Sequence, residues 1–370
     1  MRDLWLSPER LFDGTRLHEG TGLRLAGGMV AEIGPAPAGA RHIAGVVTPG
    51  YVDLQVNGGG GVLLNTSPTV EGMDTIAAAH RRLGTVALLP TLITDAPEVL
   101  DRAAGAALEA RGREGILGLH IEGPHIAPAR RGTHAPRFIR PLDPRTIDTV
   151  RRLRAGGVRV MITLAPEAAE AGQIAELRAA GAVVSLGHTD ASYEAANAAL
   201  AEGANCFTHL FNAMSPLSHR APGVAGAALN SRVPVGIICD GVHVADDVVA
   251  LAIRARPAPD LMFAVSDAMP TVGGPERFRL YDMELQVRDG MLVNPEGSLA
   301  GAHVTMAESV ARLVDKVGVA PETALRMAVT VPARVMDAPE LARLEGRAAR
   351  DVLTLGPDWR VTGNLADLAD

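Results

Sequence analysis

The chain has 370 residues, 47% hydrophobic but only 3% aromatic, so it can bury a large core built mainly from Val, Leu, Ile and Ala. Its formal charge is -7, from 35 basic and 42 acidic side chains interspersed along the sequence, which argues against nucleic acid or an anionic membrane as a general partner. No apolar stretch approaches the roughly 18 residues of a membrane span, and two cysteines, Cys206 and Cys239, are too few for a disulfide framework.

The opening MRDLWLSPERLFDG is charged throughout and lacks the apolar core of a secretory signal, so a cytoplasmic location is expected. Residues 1 to about 45 hold short alternating runs broken by glycine, and LRLAGGMVAEIG reads as a hairpin. From Val46 to Asp267 short apolar runs alternate with longer amphipathic ones. Strands are predicted over 46–57, 85–91, 116–122, 158–164, 182–188, 205–210, 233–241 and 261–267. Helices are predicted over 70–83, 96–110, 144–155, 166–180, 192–202 and 245–254. Eight nearly continuous apolar strands, most followed by a helix, favour a closed parallel barrel over an open sheet. The sixth unit departs from the repeat, because 215–230 is rich in Pro, Gly and Ala and reads as a long loop on the catalytic face. Beyond the eighth strand, 278–293 reads as an inserted hairpin, followed by helices over 304–317 and 322–335. Residues 348–363 return to short alternation. The expected fold is α/β: a (β/α)8 TIM-like barrel over 48–336, with a small β-sandwich domain formed from both termini, 1–47 and 337–370.

Four of the predicted strands end in residues that carry chemistry: ILGLHIE in Glu122, AVVSLGH in His188, ANCFTH in His209 and LMFAVSD in Asp267. A (β/α)8 barrel builds its active site at the carboxyl ends of its strands. One carboxylate and two imidazoles converging there can hold a divalent metal, leaving a further carboxylate for proton transfer. Each residue alone has an ordinary structural reading: a paired or capping acid for Glu122 and Asp267, a buried hydrogen-bonding ring for His188 and His209. Their joint placement at strand ends of one barrel face points to metal-assisted hydrolysis. Two histidines and one glutamate suit zinc, iron, cobalt or manganese.

Further motifs run in order along most of the chain: PGYVDLQVNGGGGV (49–62), LPTLIT (89–94), HIEGPHI (120–126), RGTHAPRF (131–138), GHT (187–189), THLFNAMSPLSHRAPGVAGA (208–227), CDGVHV (239–244), SDAMPTVGG (266–274) and GSLAGAHVTM (297–306). With these the chain resembles the amidohydrolase superfamily and, within it, the N-acetylglucosamine-6-phosphate deacetylase family. The resemblance implies metal-dependent deacetylation of N-acetylglucosamine 6-phosphate to glucosamine 6-phosphate and acetate, in amino-sugar catabolism. It implies that Glu122, His188 and His209 hold one divalent ion per subunit, zinc first among the candidates. Asp267 would be the acid/base, and His134 would polarise the acetamide carbonyl. Thr133, His134, Asn212, Ala213, Leu299, Ala300 and Gly301 would line the substrate, with Arg220, Asp240 and His243 as phosphate and sugar contacts. A homodimer is implied, with Arg220 reaching across the interface and His243 a second candidate to do so; the residues themselves show only that the loop is long.

The departures from the superfamily pattern carry expectations of their own. Many members end the first strand in His-x-His, which holds a second metal, whereas here Gln55-Val56-Asn57 stands there. Neutral amides are poor ligands for a transition metal, so one tightly held ion is expected, with Gln55 and Asn57 marking a vestigial second position. His125 reads as a pocket or solvent residue rather than a ligand. Barrel loops diverge readily, so two other readings stand beside the first. One is deacetylation of a related N-acetyl amino-sugar phosphate such as N-acetylgalactosamine 6-phosphate; the other is a catalytically silent barrel that binds sugar phosphate.

Overall fold

Eight apolar runs become eight parallel strands because both faces of each are covered, one by the barrel interior and one by helices. The structure is a computed structural model and describes residues 3–368; residues 1–2 and 369–370 of the predicted terminal β unit lie outside the described residues. The barrel strands are β1 (Tyr51–Val56), β2 (Thr85–Ile93), β3 (Gly118–Glu122), β4 (Arg159–Leu164), β5 (Val183–Leu186), β6 (Cys206–Phe207), β7 (Val235–Ile238) and β8 (Met262–Val265). They are hydrogen-bonded in sequence order. β8 returns to β1 through the Asp267 N–H, which donates to the Gln55 carbonyl (3.0 Å), and the Asn57 N–H, which donates to the Ala268 carbonyl (2.9 Å), so the barrel is nearly closed.

Alternate residues of a strand face opposite sides. Met161, Val183, Cys206, Ile238, Phe263 and Val265 therefore gather in one cluster, while Val160, Ile162, Val184, Ile237 and Ala264 pack with the helices. Above the inner cluster the same faces turn polar. His120 bonds the Leu54 carbonyl (2.9 Å) and the Thr163 hydroxyl (2.8 Å). The chain continues from Thr163 to Thr208 (2.7 Å) and on to Ser185 (2.6 Å).

The helices start at side-chain caps: Thr69 on the Gly72 N–H, Asp143 on the Thr146 N–H, and Ser192 on the Ala195 N–H. Both ends of the chain share one mixed sheet. Its order is Val361–Asn364, Val352–Leu355, Arg41–Pro49, Leu4–Phe12, Thr21–Ala26, Met29–Pro35, with Leu17–Glu19 paired to Leu4–Phe12. The predicted strand 46–57 is thus two strands, one in each sheet, that meet at Gly50.

Three other segments differ from expectation. Only 215–222 is loop; Gly223–Asn230 is a helix whose first seven residues, Gly223 to Leu229, are all buried, so it has no polar face and no amphipathic period to read. Residues 277–293 form a three-stranded meander, Arg277–Leu280, Met283–Arg288 and Met291–Val293. The predicted helix 322–335 is interrupted by a π-type turn over Arg326–Thr330, next to Pro332, which lacks the N–H to continue the ladder. Among the described residues, no helix is long and apolar enough to cross a membrane.

Asp53 is fully buried where β1 meets β8, and its carboxylate accepts the N–H groups of Gln55 (3.2 Å) and Ser266 (3.2 Å). Burial outweighs those bonds and pushes its pKa from the usual 3.8 up to about 7. Between these values the folded chain binds a proton that the unfolded chain lacks, so the contribution is complete at about pH 4 and is lost as pH rises through about 7. Asp53→Asn should therefore flatten the decline of stability over that window in urea titrations. Parallel profiles for the two proteins would contradict this.

Candidate active site

Glu122 is the last residue of β3, while His188, His209 and Asp267 each lie two residues beyond β5, β6 and β8. These last three adopt positive φ, 49°, 27° and 51°, a region that residues with a Cβ seldom occupy. Each therefore turns out of its strand at once, and its side chain is aimed across the barrel mouth. Gly187 allows this turn: a Cβ there would lie 2.8 Å from the Thr208 Cβ and 2.9 Å from the Thr163 Cγ2. Gly123, with φ 76°, leaves room for the Thr94 hydroxyl, which would sit 2.2 Å from an added Cβ.

The structure brings Glu122, His188 and His209 together. The His188 and His209 Nε2 atoms lie 3.3 and 3.2 Å from Glu122 Oε1 and 3.1 Å from each other. Ligand atoms placed tetrahedrally around an ion at bonds of about 2.0–2.1 Å stand about 3.3 Å apart, so the trio is spaced as a metal's ligand set. His188 Nδ1 lies 2.9 Å from the Arg130 carbonyl, which places the proton on Nδ1 and leaves the Nε2 lone pair facing the centre. Arg130 is itself fixed by an ion pair with Asp190 (2.7 Å), so Ser192 and not Asp190 caps the following helix. All three residues are at most 5% exposed.

Electrostatics agree with this spacing. Burial pushes the Glu122 carboxyl up, but hydrogen bonds to His188 and His209 outweigh it and hold the group well below the usual carboxylate range. Burial lowers His209, yet Glu122 raises it above its ordinary value overall. The site thus stabilises positive charge beside a carboxylate, and a divalent cation can replace the protons that satisfy it.

His134 is the other imidazole within ligand reach, its ligand atom and those of Glu122 and His188 all lying within 4.8 Å of one another. Its Nδ1 accepts from the Thr94 hydroxyl (2.7 Å) and lies 3.4 Å from the Thr94 N–H, so the ring proton is assigned to Nε2. A protonated Nε2 is a donor and not a ligand, and the Glu122–His188–His209 trio is the tighter set. Burial holds the His134 pKa down at about 3, keeping the ring neutral.

Gln55 and Asn57 act as donors. Gln55 Nε2 donates to Glu122 Oε1 (2.8 Å) and to Asp267 Oδ1 (3.1 Å), and Asn57 Nδ2 donates to Asp267 Oδ1 (2.7 Å). Burial, with the nearby Glu122 charge, pushes the Asp267 pKa up to about 6. A carboxyl so placed can hold or release a proton near neutrality.

These groups open onto a cavity of about 180 Å³, whose walls include Asn57, Thr133, His134, Asn212, Ala213, His243, Leu299 and Gly301. Thr133 Oγ1 and Asn57 Oδ1 are buried without a partner, so a polar ligand has atoms to bind. Not every predicted contact is there. Ala300 is not among the cavity walls and is buried in an apolar cluster with Met269 and Leu292. Asp240 sits behind His243, bonding its Nδ1 (2.6 Å). Arg220 is exposed on the 215–222 loop and does not line its own chain's cavity.

His125 is a correction, neither pocket nor solvent residue: it is fully buried against the Pro141 carbonyl (2.9 Å) and the Thr146 hydroxyl (2.9 Å). The residues left unread include Thr94, Arg130, Gly132 and Met269. Thr94 closes LPTLIT just beyond a strand end, a usable signal. Arg130 contributes a backbone carbonyl, which leaves no trace in residue type. The meander reaches the same place through Tyr281, whose hydroxyl donates to the Thr94 carbonyl (2.5 Å).

The chain and its fold are similar to those of known proteins. The amidohydrolase family matches residues 46–345. An N-acetylgalactosamine-6-phosphate deacetylase from Shewanella sp. (strain ANA-3) is 42% identical over 328 residues, 87% of this chain and 82% of that one. An N-acetylglucosamine-6-phosphate deacetylase from Haemophilus influenzae is 33% identical over 328 residues, 87% and 85% of the two chains. The crystal structure of N-acetylglucosamine-6-phosphate deacetylase from Pasteurella multocida superposes with a TM-score of 0.90 over 98% of both chains, at 32% identity.

The two imidazole sets make different predictions. His209→Ala should weaken metal affinity by more than about 100-fold, beyond the usual effect of losing an outer-shell partner, whereas His134→Ala should keep the metal. Elemental analysis of the purified variants after dialysis decides this. The reverse pattern would move the ion to Glu122, His134 and His188.

Proposed function

The chain belongs to the amidohydrolase family, and from that premise we propose that it hydrolyses the acetamide of N-acetylglucosamine 6-phosphate, giving glucosamine 6-phosphate and acetate. The observation that carries this reading is the Glu122–His188–His209 trio with Asp267 beside it, joined through Gln55. Glu122, His188 and His209 would hold a divalent ion, zinc first among the candidates, which would supply Lewis acidity to the amide carbonyl and to the attacking water. Gln55 and Asn57, whose amides donate and do not ligate, leave room for one ion and aim Asp267.

Asp267 takes a proton from the attacking water and returns it to the leaving nitrogen as the tetrahedral intermediate collapses. Its raised pKa suits both halves of that transfer. The neutral His134, protonated on Nε2, donates to the carbonyl oxygen as negative charge develops there. Thr133, Asn212, Ala213, Leu299 and Gly301 hold the sugar. Asp240 keeps the His243 Nδ1 engaged, leaving Nε2 for a sugar hydroxyl or phosphate oxygen. Arg220, exposed and outside its own cavity, binds the phosphate of substrate held by a second copy of the chain, in a homodimer.

A second reading, N-acetylgalactosamine 6-phosphate as substrate, is favoured by one observation: the Shewanella relative of that name is the 42% match. Acetate release from both epimers separates the two, and the preferred sugar is the one with the higher kcat/KM.

Asp267→Asn should lower kcat by about 10²–10⁴ while metal content stays the same; near-normal turnover would remove Asp267 from the proton transfer. Arg220→Ala should raise KM for phosphorylated substrate at least tenfold with a smaller change in kcat. An unchanged KM would remove it from phosphate recognition.

A further inference from the structure

A second and larger cavity, about 720 Å³, lies at the opposite end of the barrel. Its walls come from the amino ends of β4 to β7, at Arg159, Val183, Asn205 and Pro234. β4, β5 and β7, strands of four to six residues, separate it from the catalytic mouth by about 13–20 Å. Four guanidinium groups line it: Arg154 and Arg178, near the ends of the helices Pro144–Ala155 and Gln173–Ala179, Arg159 at the start of β4, and Arg334 in the helix Val331–Val335. Asp337 is the single acidic residue of the lining.

Elsewhere the arginines of this acidic chain are commonly matched with carboxylates, as in Arg140–Asp143, Arg312–Asp246 and Arg326–Asp260. Of the four in the cavity, only Arg159 comes within ion-pair reach of an acid among the described residues, at 3.7 Å from Glu340. Arg154 and Arg178 each spend one N–H on a backbone carbonyl, Val158 (2.9 Å) and Ala182 (3.2 Å), and Arg334 bonds the Asp260 carbonyl. Arg154 Nε is buried without any partner. A guanidinium carries five donors, so most of this donor capacity remains unspent. The carbonyl bonds and the helix C-termini explain why an arginine suits positions 154 and 178. They do not explain four converging on one cavity with so little negative charge to meet them.

We propose that this cavity binds a small molecule bearing two or more phosphate groups, at a site separate from the catalytic one. Guanidinium forks match phosphate oxygens in pairs, and the volume falls within the range of about 300–1,000 Å³ found for small-ligand sites. Nucleotides and sugar bisphosphates share this chemistry.

Inorganic pyrophosphate is the minimal probe, titrated calorimetrically into the full metal-loaded chain at low ionic strength, where charge pairing is least screened. Arg178 and Arg334 are both exposed, so Arg178→Gln combined with Arg334→Gln is expected to leave the fold intact. The double variant is expected to bind pyrophosphate at least tenfold more weakly, with kcat/KM for the acetylated sugar phosphate unchanged. Displacement of pyrophosphate by ATP assigns the site to nucleotides, and displacement by fructose 1,6-bisphosphate assigns it to sugar phosphates. No pyrophosphate binding to the unmodified chain, or equal affinity in the double variant, overturns the proposal.

Discussion

Holding one carboxylate oxygen and two imidazole nitrogens within 3.1–3.3 Å of one another, on three buried residues, sets the terms for the whole carboxyl face of the barrel. Desolvating a carboxylate is unfavourable unless cations or donors compensate. Here the compensation comes from Gln55 and the two rings. Turning His188, His209 and Asp267 out of their strands in a left-handed conformation adds strain of about 1–3 kcal/mol at each. The strain persists because the strands beneath are fixed by register and by the polar layer from His120 through Thr163 and Thr208 to Ser185. Packing below therefore determines geometry above, and geometry above determines which ion and which proton transfers the site supports.

The first strand shows how the same scaffold can change its chemistry. Two side chains that would be ligands as histidines are amides here, and both now donate to carboxylates. Gln55 bridges Glu122 and Asp267, so the acid of the trio and the acid beside it share a donor. Both amides therefore fix the two carboxylates in place. Asp53, on the same strand, anchors the Ser266 backbone next to Asp267 and belongs to the same closure of β8 on β1.

Much of this was legible in the residues. An apolar strand that stops abruptly at Glu122, His188, His209 or Asp267 marks a barrel mouth, because nothing in packing calls for a charged or imidazole group there. The barrel and the sheet shared by the two chain ends were legible for the same reason, since run length and alternation report burial. The helix Gly223–Asn230 was not, because a helix buried all round has no periodic contrast and its Gly and Ala content resembles a loop. His125 was misjudged from its nearness to Glu122 in sequence; the turn at Gly123 and Pro124 carries it away to Thr146. Arg130 acts through its carbonyl, and the donor role of Gln55 toward Asp267 joins residues 212 positions apart. Neither relation can be read from local pattern.

The central claim is that Glu122, His188 and His209 share a single ion. Anomalous scattering from crystals of the metal-loaded protein, recorded on both sides of the metal's absorption edge, tests it directly. The account predicts one peak per chain, at about 2.0–2.2 Å from Glu122 Oε1 and from both Nε2 atoms. A peak centred on Gln55 and Asn57, a pair of peaks, or a peak that takes His134 in place of His209 would contradict it.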